Sequence, residues 1–269
     1  MLSFPNAKIN IGLNIISKRP DGFHNIETIF YPIGLSDVLE IIPDKVHIAI
    51  KTSGIALNIN AEENICYKAY QLLSKRFNIP PLEIYLHKII PSGAGLGGGS
   101  SDAAFLLKEI NSLFKLGIKQ NDLESIASDL GSDCAFFIQN KAVFAKGRGE
   151  QFEDISLDLS DYYIYLVKPD IFVSTADAYS SVKPAQPKVS LKDLIKSPIS
   201  EWKSKINNDF EFSIFNQYPL LNSIKSEFYK NGALYAAMSG SGSAIYGIFP
   251  TKPAAICTLN EHFSWISKL

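Results

Sequence analysis

The chain has 269 residues and a formal net charge of -1, with 46% hydrophobic and 20% charged residues. That length holds one large domain or two ordinary ones, and the composition supplies a packed core rather than a disordered chain. The near-zero charge excludes a nucleic-acid binder that works by neutralising many phosphates. Cys66, Cys134 and Cys257 lie far apart and form neither a CxxC pattern nor a disulfide framework.

At the N-terminus, Lys8 and Asn10 interrupt the apolar run, so no leader peptide is expected. Lys8 to Ile16 alternates apolar and polar residues, the period of a strand. Arg19-Pro20-Asp21-Gly22 reads as a tight reversal. Further strands are expected over Ile26–Ile33, Asp37–Ile42 and His47–Lys51. The period then changes: Ile65, Ala69, Leu72 and Leu73 share one face of a helix over Glu62–Phe77, with Glu62 and Glu63 in its acidic first turn. Pro80-Pro81 stops it, and Leu82–Ile90 is a strand. After a glycine-rich run come helices over Ala103–Phe114, Asp122–Asp129 and Asp133–Gln139, then a short strand Lys141–Ala145 and a turn at Gly147-Arg148-Gly149. Tyr162–Lys168 is a strand, and residues 182–198 form a loop with one short helix. Leu234–Met238 and Ala244–Phe249 are strands joined by Ser239–Ser243, and Ala254–Ile266 is expected to be helical. The mixture is α+β in two domains, residues 1–150 and 151–269. No stretch approaches the roughly 20 apolar residues of a bilayer span. A soluble cytoplasmic protein, a monomer or a homodimer, is expected, with no membrane or nucleic-acid partner.

The run Pro91-Ser-Gly-Ala-Gly-Leu-Gly-Gly-Gly-Ser-Ser-Asp102 between strand and helix presents backbone N–H groups to an anion. Ser100 and Ser101 stand where hydroxyls cap the helix or reach a phosphate. It is not a Walker A loop, because Gly98 is followed by Gly99 rather than lysine. Gly93-x-Gly95-x-x-Gly98 fits a dinucleotide fingerprint, but no acidic residue ends a second strand some 20 residues on. The protein-kinase signatures VAIK, HRD and DFG are missing. The alternative, a merely structural loop, gives no reason for so many entropically costly glycines.

With the glycine run, Pro5-Asn-Ala-Lys-Ile-Asn10 and Met238-Ser-Gly-Ser-Gly-Ser243 stand in the order of the three motifs of the GHMP kinases, which the chain resembles. Arg19-Pro-Asp-Gly-Phe-His24 and Leu130-Gly-Ser-Asp133-Cys-Ala-Phe-Phe137 resemble the branch of that family whose acceptor is a cytidine-diphosphate-linked polyol. Ser241, Phe23 and the residues beside Asp133 depart from that branch's commonest forms without removing a reacting group. The resemblance implies an N-terminal domain like ribosomal protein S5 domain 2 and a ferredoxin-like C-terminal domain, with ATP and Mg²⁺ as cofactors. It implies Asp133 as general base and Lys8 as the charge beside it. It assigns ATP to Pro91, Gly93, Gly95, Leu96, Gly97, Gly98, Gly99, Ser100 and Ser101, with Lys88 and Asn64 on the adenosine side. It assigns the polyol substrate to Asn10, Phe23, His24, Thr175 and Tyr179, and it names no metal ligand.

Each residue has a plainer reading. Asp133 is also a favoured helix N-cap, Lys8 an edge-strand lysine, and Phe23, His24 and Tyr179 ordinary core rings. Two rival functions stand beside the first: a kinase for another alcohol, such as homoserine or mevalonate, and a non-catalytic ligand sensor on the same fold.

Overall fold

The computed structural model describes residues 1–44, 46–57, 59–256 and 262–269. The chain forms two compact units, each assembled from separated stretches. The first holds Met1–Ala7, Leu35–Ser92 and Gly97–Lys141; the second holds Lys8–Gly34, Gly93–Leu96 and Ala142–Leu269. The sequence reading instead places one cut near Glu150.

In the first unit, strands β1 (Leu2–Ser3), β4 (Val38–Pro43), β5 (Ala49–Gly54) and β6 (Leu82–Lys88) form a sheet in the order β1-β4-β6-β5, with β5 and β6 parallel. Leu39 and Ile41 of β4 and Leu82, Ile84 and Leu86 of β6 alternate with polar residues, which gives the sheet one buried face. Its helices are α1 (Ile65–Ser74), α2 (Gly98–Leu113), α3 (Gln120–Ser128) and α4 (Ser132–Gln139). Helix α2 packs against α1 and α4 through Ala103, Leu106, Leu107 and Ile110, all fully buried. The acidic pair does precede α1, in a 3-10 turn over Ala61–Glu63 where Glu63 closes a capping box with Asn60.

The second unit carries most of a sheet of order β2-β3-β7-β8, built from β2 (Asn6–Lys18), β3 (His24–Ser36), β7 (Val143–Lys146) and β8 (Gln151–Asp154). Its other sheet has the order β10-β11-β9-β12, from β9 (Tyr163–Lys168), β10 (Tyr235–Met238), β11 (Ile245–Phe249) and β12 (Phe263–Lys268), all antiparallel. In chain order that is 2-3-1-4, the strand arrangement of a ferredoxin-like split βαβ, as the resemblance implies. Helices α5 (Thr175–Ser180), α6 (Leu191–Leu194), α7 (Ile199–Lys205), α8 (Glu211–Gln217) and α9 (Pro219–Lys230) complete the unit. Residues 199–230, unassigned from the sequence, supply three of these. In α9 the apolar face is Leu221, Ile224 and Phe228.

Two expectations are corrected. The helix expected over Ala254–Ile266 is not there: Ala254–Ile256 are irregular, residues 257–261 with Cys257 lie outside the described residues, and Phe263–Lys268 pairs with β9 as a strand. Phe263 and Trp265 alternate with Ser264, so the local period is two and the unpaired side of β9 captures it. Helix α2 begins at Gly98, five residues before Ala103, because propagation from the packed Ala103–Ile110 segment carries the helix back into the glycines.

Phe228 is the centre of the second unit's core, tilted on Tyr165 at 5.1 Å and edge-on to Phe249 at 6.0 Å. Phe228→Ala is therefore expected to cost about 3–5 kcal/mol, read as a fall in the urea unfolding midpoint. A loss below about 1 kcal/mol would mean that the core closes around the cavity.

Candidate active site

In the first unit, β6 delivers the chain to the glycine run and α2 leads it away. Gly97, at φ 72°, is the N-cap of α2; no side chain caps this helix and no acidic residue sits in its first turn. Beneath that start lies a buried ionic cluster. The Lys88 ammonium donates to Asp102 Oδ2 at 2.6 Å and also to Asp37 Oδ2. Asp37 Oδ1 accepts the backbone N–H groups of Ile89 at 2.5 Å and Ile90 at 2.8 Å. The end of β6 and the first turns of α2 are thus tied to each other and to the β3–β4 junction. All three side chains are no more than 2% exposed.

One ammonium faces two carboxylates, and the excess appears in the titration. Burial pushes the Asp102 carboxyl up, the Lys88 ammonium opposes it, the Asp37 carboxylate adds to the rise, and the outcome is about 8. Burial disfavours the Lys88 ammonium, but Asp102 and Asp37 outweigh it and raise its pKa. Asp102 Oδ1 and the Ser101 hydroxyl are buried without a hydrogen-bond partner.

The first-unit residues expected in the site divide accordingly. Ser101 is fully buried inside α2, and Lys88 is engaged by its carboxylates. Asn64 caps α1, its Oδ1 accepting Cys66 N–H at 2.9 Å. Burial pushes the Cys134 thiol up to about 12, with the nearby Ser100 hydroxyl opposing the rise. Asp133 is not the cap of α4: Gly131 occupies that position and Asp133 follows in the first turn, half-buried. The capping alternative for Asp133 therefore falls.

In the second unit, Lys8 and Asn10 project from the same face of β2, as their spacing of two requires. Lys8 Nζ donates to Asn10 Oδ1 at 2.5 Å and lies 4.8 Å from the centre of the Phe30 ring. Lys8 is buried, so it is no edge-strand lysine in solvent. Asn10 Nδ2 donates to Thr28 Oγ1 at 2.9 Å, and the Tyr246 hydroxyl donates to Asn10 O at 2.7 Å. The Gly93–Leu96 part of the glycine run docks here. Lys8 N–H donates to Leu96 O at 3.0 Å, and Ala244 N–H donates to Ala94 O at 3.2 Å. The Ser239 hydroxyl donates to Gly95 O at 2.8 Å while accepting Asn10 N–H at 3.2 Å. Gly95, at φ 75°, lies so close that a Cβ there would stand 1.9 Å from Ser239 O.

The rings expected to hold the base are also in this unit. His24 stacks on Tyr179 at 4.8 Å and 18°, and Tyr179 meets Phe210 edge-on at 4.9 Å. Phe23 is 55% exposed, with the Arg148 guanidinium 5.2 Å over its ring. Such exposure rules out the core reading for Phe23. Thr175 Oγ1 lies 3.3 Å from Ser241 Oγ, so α5 begins beside the third glycine motif. Sequence reasoning missed Asp37, a lone aspartate at a strand junction with no local signal. It also missed the role of Ser239 and the companion of Phe23, Arg148, which stood in view in the Gly147-Arg148-Gly149 turn.

Family models match in two places: GHMP kinases N terminal domain over residues 64–141, and GHMP kinases C terminal over residues 190–263. A 4-diphosphocytidyl-2-C-methyl-D-erythritol kinase of Parabacteroides distasonis is 53% identical over 271 residues, covering 100% of both chains. A crystal structure of 4-(cytidine 5'-diphospho)-2C-methyl-D-erythritol kinase superposes with a TM-score of 0.82 at 28% identity, over 99% of this chain and 98% of that one. The Methanococcus jannaschii mevalonate kinase superposes at 0.69 with 15% identity, over 99% of this chain and 96% of that one, which shows a shared fold alone.

The ionic cluster makes stability depend on pH in a definite direction. Asp102 titrates near 3.8 when unfolded and about 8 when folded, so folding takes up a proton between those values. The contribution is fully present below the lower value and is lost as pH rises through the upper one, at up to about 1.4 kcal/mol per pH unit. Asp102→Asn, neutral throughout, removes this slope. Urea unfolding at pH 5 and pH 8 is expected to show the variant gaining about 2–4 kcal/mol on the wild type across that interval. Parallel pH curves would contradict a protonated Asp102.

Proposed function

The chain belongs to the GHMP kinase family, and on that premise we propose that it transfers the γ-phosphoryl group of ATP to the 2-hydroxyl of 4-diphosphocytidyl-2-C-methyl-D-erythritol. The reaction is a step of the non-mevalonate route to isoprenoid precursors. The full-length likeness to the Parabacteroides kinase carries the choice of acceptor. In this reading residues 1–150 are the domain bearing the phosphate loop and residues 151–269 complete the substrate side. The protein works in the cytoplasm as a monomer or a homodimer. No helix among the described residues is long and apolar enough to cross a membrane.

Phosphoryl transfer needs positioning, charge neutralisation and help for the attacking hydroxyl. Asp133 accepts that hydroxyl's proton. Lys8, buried and held by Asn10, places a fixed positive charge where negative charge gathers in the transition state. Backbone N–H groups of the glycine loop and the first turn of α2 hold the phosphates. The cytosine ring stacks on the exposed Phe23, and on Tyr179 once His24, which stacks on that ring in the structure, turns to the edge of the base. Thr175 and Asn10 lie toward the polyol. No group of three or more His, Cys, Asp or Glu side chains fit for a metal occurs among the described residues. Mg²⁺ is taken to arrive on the ATP phosphates and keep most of its waters, and no residue is assigned to it. When bound, the ion neutralises phosphate charge.

Transfer from labelled ATP should be measured with the cytidylylated polyol, mevalonate and homoserine offered in parallel. Label is expected on the first alone, with kcat falling about 10²–10⁴-fold in Asp133→Asn. Label on another alcohol would sink the acceptor assignment, and ATP binding without transfer would mark a sensor.

A further inference from the structure

The four residues Asn208–Glu211 have no part in the chemistry above, yet three of their side chains grip the motifs that do. Asn208 is 3% exposed. Its Nδ2 donates to Met238 O at 2.9 Å and to Gly240 O at 2.7 Å, and its Oδ1 accepts Phe210 N–H at 3.0 Å. Both amide protons therefore fall on carbonyls flanking Ser239. Glu211 Oε1 accepts Met238 N–H at 2.8 Å, while its Oε2 is held by Lys225 at 2.6 Å. On the other side, Asp209 Oδ2 accepts Ile15 N–H at 2.7 Å, and the backbone at 207–209 exchanges hydrogen bonds with Leu13. The segment thus holds β2, which carries Lys8 and Asn10, and the third glycine motif at once.

From this geometry we infer that Asn208 is a positioning residue for the ATP phosphate loop, acting through the Ser239–Gly240 backbone. The inference rests on the loop's proposed role in holding ATP. The mechanical link is direct. Ser239 donates its hydroxyl proton to Gly95 O, and its own carbonyl stands where a Cβ on Gly95 would be. With no slack there, a shift of Ser239 of a few tenths of an ångström must move Gly95, and tight packing passes displacement on rather than absorbing it. Asn is the residue this role demands. Two donors and one acceptor on a short neutral side chain match two carbonyls and one N–H, and a carboxylate of the same shape offers no donor to either carbonyl.

The test is Asn208→Asp, compared with wild type for affinity to a fluorescent ATP analogue with Mg²⁺ and for steady-state kinetics. Two buried hydrogen bonds become repulsive contacts, so ATP affinity is expected to fall about 10- to 100-fold. The KM for the acceptor should stay within about twofold, a split that general loosening would not give. In a double-mutant cycle with Ser239→Ala, the losses should be strongly less than additive, since both act on one contact. Unchanged ATP affinity in folded Asn208→Asp, equal loss for both substrates, or additive losses would each overturn the inference. If the Asp variant does not fold, Asn208→Ser, which keeps one donor and adds no charge, is judged by the same readouts. Analogue binding needs no acceptor, so a wrong acceptor leaves this result standing. A wild type that binds no ATP sinks both readings.

Discussion

A missing side chain at Gly95 is the constraint on which the second unit's share of the site depends. The Ser239 carbonyl sits where any Cβ would be, and the backbone adopts a positive φ that only glycine takes without strain. Once that contact is made, the Ser239 hydroxyl reaches Gly95 O and Asn10 N–H together. Asn10 in turn holds Lys8. Segments more than 80 residues apart in the sequence are locked by one glycine's lack of bulk. The energy of the lock comes from a few buried hydrogen bonds, each worth about 1 kcal/mol net but far costlier to leave half-made.

The first unit solves the matching problem differently, with charge. Burying Lys88 with two carboxylates is expensive in desolvation, and apolar packing could have held β6 and α2 more cheaply. What apolar packing cannot do is fix two backbone N–H groups and a helix start in one register. Asp37 does so by accepting from Ile89 and Ile90 while engaging the same ammonium that engages Asp102. Proton uptake by Asp102 relieves the surplus negative charge that the arrangement would otherwise trap.

Most of the elements could be read from sequence because their periods were clean. The glycine run is legible as an anion loop because nothing else explains so many entropically costly glycines between a strand and a helix. Two departures have separate causes. The C-terminal segment is a strand rather than the expected helix because Phe263–Trp265 alternates with period two and pairing with β9 captures it. The start of α2 was misplaced because glycine propensity argues against helix, whereas packing of Ala103–Ile110 outweighs it. Lys88 and Asn64, which the resemblance assigns to the adenosine side, also have partners within the first unit: Lys88 pairs with Asp102 and Asp37, and Asn64 caps α1. A residue type and position in a motif do not say which way its hydrogen bonds point.

The shift of the start of α2 has a chemical consequence. A helix that began at Ala103 would place its unsatisfied N–H groups beyond the glycine run. Beginning at Gly98, it places them on Gly98, Gly99 and Ser100, the residues least able to cover them with bulk. The nearby carboxylate is directed elsewhere. Asp102 turns inward to Lys88. With no side-chain cap and no acidic residue in the first turn, those donors keep their affinity for an anion from outside the chain. The buried carboxylates therefore do two things at once: they hold the helix in place, and by pairing with Lys88 they stay away from the N–H groups that a phosphate needs.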